Sequence, residues 1–280
     1  TGVDGSGGPS TPNPPAGDTS TSTGGTDTDS GFEDFDCGGC YGRPYIAEDR
    51  VRVASLTDTD AWLAAIDVPS LGEIDAGQRA ALAEFWTTAA LSEHSSVAGF
   101  HRFALDLLAH GAPPELVMRA QRAAIEELEH ARACFGLASA YAGRAIGPGP
   151  MPLGSTAPVA STLAELAVWT VHEGCVGETV AAWLASEIHE HAQDPAVREV
   201  MAKIAREEAE HAELAWATLR WAMAAGGEEV RRAIVDAFAS ARVTPPRHGS
   251  APLPGHGLLA DARVEASVRV AFSEVVQLCG

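Results

Sequence analysis

From Asp75 onward the apolar positions fall at helical spacing, and the residues that interrupt them are those that start and stop helices. Asp75 can cap a long helix running through Phe85, Trp86, Glu93 and Phe100 to Leu108, with Gly111 as its stop. Pro113-Pro114 suits the first turn of a second helix, which carries Glu127, His130 and Cys134 to Tyr141 and ends at Gly143. Thr162 with Glu165 reads as a capping box that opens a third helix, with Trp169, Glu173, Glu178 and Trp183, ending near His191. Asp194-Pro195 starts a fourth, which carries Glu208 and His211 and stops at Gly226-Gly227. A shorter helix from near Glu228 to Ala241 follows. After the Pro-rich stretch 244–257 comes a last amphipathic helix, near Ala260–Leu278.

Two stretches break this rhythm. Residues 143–160 are Gly, Pro and small side chains. If the second and third helices run parallel, this loop must travel their length, about 30 Å, which takes at least about nine extended residues. It is long enough. The pattern therefore predicts an all-α protein, a four-helix bundle over 75–226 with a long crossover between helices two and three, and a helical extension over 227–280. Residues 1–36 are Gly, Ser, Thr, Pro and Asp with almost nothing apolar, so they read as a disordered acidic tether. Residues 37–74, with Cys37, Cys40, Pro44 and Pro69, read as an irregular segment draped over the helices, with a short strand at Arg50–Ser55.

The candidate chemistry lies on the helices. Glu127-x-x-His130 and Glu208-x-x-His211 each place a carboxylate and an imidazole one turn apart on one helix face. One such pair is usually a solvated surface. Here each has an upstream partner: Glu93 precedes Glu127 by 34 residues, and Glu173 precedes Glu208 by 35. Four carboxylates and two imidazoles are the ligand set of a carboxylate-bridged di-metal site inside a four-helix bundle. Buried together, the carboxylates would be costly to ionise without cations. Glu178 lies about 140° from Glu173 on an ideal helix, and it becomes a supplementary ligand if the helix is locally distorted. Gly174 and Gly177 fit such a distortion, or equally a tight helix contact. Glu126, Glu129, Glu207 and Glu210 read as surface acids, and His94, His101 and His172 as residues behind the ligands or at the surface. Trp86, Phe100 and Trp169 share the ligand faces, as core or as the wall of a pocket.

Charge and cysteines narrow the function classes. The formal charge is −19 with a single lysine, Lys203, and residues 1–36 hold acids but no base. An acidic chain without a basic stripe does not suit nucleic acid or an anionic membrane surface. No apolar run reaches the roughly 20 residues of a membrane span. Cys37-Gly-Gly-Cys40 fits a disulfide, half of a metal site or free thiols, and no second Cys-x-x-Cys completes a zinc or rubredoxin-type site. Cys134, Cys175 and Cys279 are isolated, the first two within helical patterns where a buried, inert thiol is expected. The chain begins at Thr1 without Met, and with the tether this suggests an exported, envelope-anchored protein of lipoprotein type, a cytoplasmic one being the alternative.

Glu93-His-Ser-Ser-Val-Ala-Gly-Phe100, Glu127-Leu-Glu-His-Ala-Arg132, Glu173-Gly-Cys-Val-Gly-Glu178 and Glu208-Ala-Glu-His-Ala-Glu-Leu-Ala-Trp216 together resemble the ferritin-like di-iron superfamily. The likeness covers about residues 80–225 and is nearest to bacterial ferritin-like domain proteins of unassigned function. It implies two irons, manganese not being excluded by spacing. Glu127 and Glu208 would bridge them, His130 and His211 would cap them, and Glu93 and Glu173 would be the terminal carboxylates. The likeness is not specific for a reaction; an oxidoreductase that uses O2 or peroxide, with an unknown small-molecule substrate and an unknown electron donor, is expected instead from Gly174 and Gly177 beside Glu173 and from Trp86, Phe100 and Trp169 as the wall of a pocket next to the metals. The alternatives are a non-catalytic iron-binding or ferroxidase-type protein, or a di-metal bundle with a structural role. The chain lacks the four-cysteine module of rubrerythrins and has more chain outside the helices than a cage-forming ferritin needs.

Overall fold

The computed structural model describes residues 42–48, 50–64, 66–154 and 159–277. The acidic stretch 1–36, the Cys37–Cys40 pair and Cys279 lie outside the described residues. What is described is mainly helical: α1 (Ala76–Ala109), α2 (Pro114–Ala142), α3 (Leu163–Trp169), a π-helical segment (Thr170–Glu178), α4 (Thr179–His191), α5 (Pro195–Ser240) and α6 (Asp261–Gln277). No helix among the described residues is long and apolar enough to cross a membrane.

Local chemistry sets the helix ends. Asp75 accepts from the Gln78 amide while the Gln78 side chain accepts from the Asp75 amide, closing a capping box on α1. Pro114 occupies the first turn of α2, and Gly143 (φ 68°) ends it in the left-handed region. Thr162 caps α3 by accepting from the Glu165 amide, but the Glu165 carboxylate accepts from Ser161, one residue short of a full capping box. Asp194 caps α5 by accepting from Ala196 and Val197. Gly226-Gly227 stops the first helix of α5 as the sequence predicts, and the second follows without a loop. Gly227 (φ 63°, ψ −139°) kinks the rod, and helix resumes at once.

α1 packs along α2, the continuous rod α3–π segment–α4 packs along α5, and α2 contacts α5. The directions follow from what meets at each end. Asp106 and His110, at the end of α1, bond Ala160 just before α3. Trp86, near the start of α1, donates to the His256 carbonyl, and Tyr141 at the end of α2 bonds the His256 ring. The neighbouring Gly255 carbonyl accepts from Gln193 and Asp194, in the turn between α4 and α5. So α1 runs antiparallel to both α2 and the third rod, which leaves α2 parallel to that rod. The connection from Gly143 to Thr162 therefore travels back along the helices.

Two small antiparallel ladders hold the N-terminal segment. β1 (Ile46–Ala47) pairs with β2 (Arg50–Val51), and β3 (Leu56–Thr57) pairs with β4 (Gly147–Pro148), which ties the segment to the long connection. It lies directly on α1. A Cβ built at Gly99 would overlap the Arg43 carbonyl, so only glycine allows this approach. Gly99→Ala is expected to lower the unfolding free energy by about 1–3 kcal/mol, as overpacking of a filled contact does. An unchanged urea midpoint would contradict it. At the other end α6 covers α4, with Val264, Val268 and Ala271 against Val180 and Leu184.

Candidate metal centre

Four elements bring the polar core together. α1 supplies Glu93, α2 supplies Glu127 and His130, the last residue of the π segment supplies Glu178, and α5 supplies Glu208 and His211. Glu127 and Glu178 are fully buried, and His130, Glu208 and His211 are exposed by no more than 2 %. Their donor atoms form two overlapping sets, each within 4.8 Å: Glu93, Glu127, His130 and Glu208, then Glu127, Glu178, Glu208 and His211. Glu127 and Glu208 belong to both. Both imidazoles turn Nδ1 inward. His130 Nδ1 lies 3.2 Å from Glu208, and His211 Nδ1 lies 3.3 Å from Glu127.

Glu173 is the correction. The α-helical spacing that makes it a ligand does not hold, because nine residues, Thr170–Glu178, are π-helical. A π turn bonds i to i+5, so Glu173 and Glu178 stack one turn apart on the same side instead of about 140° apart. Glu178 enters the metal-competent group. Glu173 is drawn off by arginines: it is ion-paired with Arg102 and lies 3.3 Å from Arg43, which also stands 3.8 Å from Glu178. The Arg43 guanidinium sits 3.9 Å above the Phe103 ring, and that of Arg102 lies 4.9 Å from Trp169. Both glycines of the π segment are close approaches as well. A Cβ at Gly174 would meet Ala215 and Arg43, and one at Gly177 would meet the Gly42 carbonyl.

The acids preceding each ligand glutamate are also misread by a surface assignment. Glu207 accepts from His130 Nε2 at 2.8 Å and from Lys203 at 3.1 Å. Glu126 accepts from His211 Nε2 at 3.1 Å and from Arg122 at 2.7 Å. Each imidazole is thus oriented by the acid that sits beside the other helix's ligand, which leaves Nδ1 of both rings for the interior. Glu129 does lie at the surface, with Lys203 at 2.6 Å. The signal that could have found these residues is the repeat itself: the motif is Glu-Glu-x-x-His in both copies.

Of the other residues, His101 is exposed and bonds the Val97 carbonyl, and His94 packs edge-on against Trp62. Phe100 packs its edge on His211 with ring centres 4.9 Å apart, and Trp86 is fully buried. Cys134 and Cys175 are buried, and burial, then Glu93, pushes the Cys134 thiol well up.

The donor set fits a cation. Both oxygens of Glu127 and of Glu178, Oε2 of Glu208 and Nδ1 of both histidines are buried and make no hydrogen bond. Unpartnered buried polar atoms are costly and rare, and a cation would satisfy all of these at once. These buried Glu/His groups could hold a metal ion. Without one, protons take its place. Burial, then the neighbouring charges of Glu127 and Glu208, raises Glu93 well above the carboxylate range, and burial, then Glu208, does the same for Glu178. Burial lowers His130 and His211, but the carboxylates around them outweigh it and hold both well above the usual imidazole value. Burial raises Glu208 and Glu207, but the adjacent imidazoles prevail, leaving Glu208 depressed and Glu207 at about 2.

A pH dependence follows. The raised groups bind more protons folded than unfolded, so their contribution to stability is full below the unfolded values, 4.5 for the acids and 6.5 for the imidazoles, and is lost as pH rises through the folded ones. The depressed Glu207 and Glu208 act oppositely, losing their contribution as pH falls below 4.5. The melting temperature of metal-free protein is expected to fall between about pH 5 and pH 8. With metal present the slope should reverse, because the ligands must be deprotonated to bind it. Calorimetric scans across that range, with and without Mn(II), check both signs. No family model matches the chain, and neither does any curated protein or solved structure.

Proposed function

We propose that the chain is a ferritin-like four-helix bundle whose buried group holds two irons, and that it is an oxidoreductase reacting with O2 or peroxide. The observation that carries this reading is the pair of overlapping ligand sets sharing Glu127 and Glu208. Two positions with two common carboxylates are what a bridged di-metal pair needs. The parallel run of α2 and the third rod supports the bundle assignment, since a single long crossover is the ferritin-like connection.

In this reading Glu93 and His130 complete one position, and Glu178 and His211 the other. Four carboxylates balance two divalent ions in charge, so the pair can sit in an otherwise apolar interior. When bound, the pair would supply electrons and open coordination positions for an oxidant. The chain's own residues do the rest. Glu126 and Glu207 fix the imidazole orientation, Arg43 and Arg102 neutralise the neighbouring Glu173, and the Phe100 edge keeps water from His211. Glu207 is in turn held by Lys203, which also pairs with Glu129 at the surface.

The test is anaerobic loading with Fe(II), elemental analysis, then stopped-flow absorption on mixing with O2 or peroxide. Two irons per chain and fast growth of ferric absorption are expected. Fewer than one iron per chain, or no reaction with either oxidant, would overturn the reading. Stoichiometric oxidation that no added organic substrate alters would leave an iron-binding protein instead of an enzyme.

A further inference from the structure

The metal-competent group is not walled off on every side. Between α1, α4 and α5 lies a cavity of about 120 Å3, whose inner end is formed by Glu93 and Glu208. Trp86, Cys134, Leu184, Met201 and Ile204 form its sides, and Thr88, which is exposed, stands at its mouth. Its roof belongs to the segment that follows the kinked α5: Pro246, Leu259 and Val264 close over it. That roof is built to fit. Gly257 (φ 95°) passes so near the Trp86 ring that any Cβ there would overlap it.

We propose that this cavity binds an uncharged, mainly hydrocarbon molecule with one end against the metal-competent group. Size sets the first limit. An apolar cavity of about 150 Å3 takes benzene, so this one suits a ring of that size or a chain of about six carbons. Charge sets the second. The one imidazole that lines it, His248, is pushed toward its neutral form by burial and so gives an anionic ligand no cation, the inner carboxylates repel one, and a cation would lose hydration along the apolar sides. The roof explains what the C-terminal segment is for: without it the space between α1 and α4 would be an open groove. That the inner end faces metal rests on the function proposed above. Binding in the cavity does not.

Fluorobenzene followed by 19F NMR is the probe, with metal-free and Mn(II)-loaded protein. Saturable binding to metal-free protein is expected, with the bound probe's fluorine line broadened severalfold more once Mn(II) is loaded. Ala181→Leu, which puts a side chain into the cavity from α4, should weaken binding at least tenfold while elemental analysis finds the same metal content. Ala89→Leu does the same from α1 should the first variant not fold. Absent saturation, undiminished binding in both variants, or a line that loaded Mn(II) leaves unbroadened would each overturn the proposal. If no metal is retained but the probe still binds and the variants block it, the cavity stands and the metal reading falls.

Discussion

Glu127→Ala abolishes the rise in melting temperature that Fe(II) or Mn(II) gives the wild-type protein. Glu127 belongs to both ligand sets, is fully buried, and neither of its oxygens has a hydrogen-bond partner. At a free metal concentration a hundredfold above Kd, binding to the folded state alone stabilises by about 2.7 kcal/mol. For a domain of this size that is a rise of roughly 5–11 °C. Removing a carboxylate common to both positions takes away a donor from each, so no intact site remains for either ion. Differential scanning calorimetry with and without Mn(II) gives the answer. A variant that still gains several degrees would show that the ions bind elsewhere.

Arg43→Ala destabilises the protein by about 3–5 kcal/mol, the usual result of removing one partner from a buried ion pair. The guanidinium is 1 % exposed, lies between Glu173 and Glu178, and covers the Phe103 ring. Truncation leaves Glu173 with Arg102 alone, takes from Glu178 its nearest cation, and opens a void beside Phe103. Arg43→Lys should rescue little, because an ammonium cannot reach two carboxylates and stack on a ring as the planar fork does. Urea unfolding checks this. A loss below about 1 kcal/mol for the alanine variant would refute the role given to Arg43, since surface pairs are worth no more than that.

How much of this was legible in the chain depends on whether the controlling interaction is local. Asp75, Gly143 and Asp194 mark helix ends because capping uses backbone groups within a few residues of the cap. Glu127 with His130 and Glu208 with His211 could be paired because the α-helical period fixes their spacing. The π segment defeats that period. Its two glycines hint at a distortion, but the choice between Glu173 and Glu178 is made by Arg43, which arrives from an irregular segment 130 residues away from Glu173. Glu126 and Glu207 failed for a related reason. On their own helices they point off the ligand face, and only the opposite helix shows what they bond. Gly226-Gly227 was legible for the same local reason as the caps: Gly227 leaves the helical region at positive φ, so one helix stops there and a second starts directly after it across a kink.

The crossed pairing of Glu207 with His130 and Glu126 with His211 also bears on the order of folding. Each helical hairpin can close through contacts near in sequence, whereas these two bonds join residues 77 and 85 positions apart. Local contacts form early, and distant ones wait for the loop between them to close. Neither imidazole is therefore oriented until the two hairpins dock. A metal ion meeting an isolated hairpin would find two Glu and a His but no fixed ring, and the complete ligand group appears only in the last assembly step.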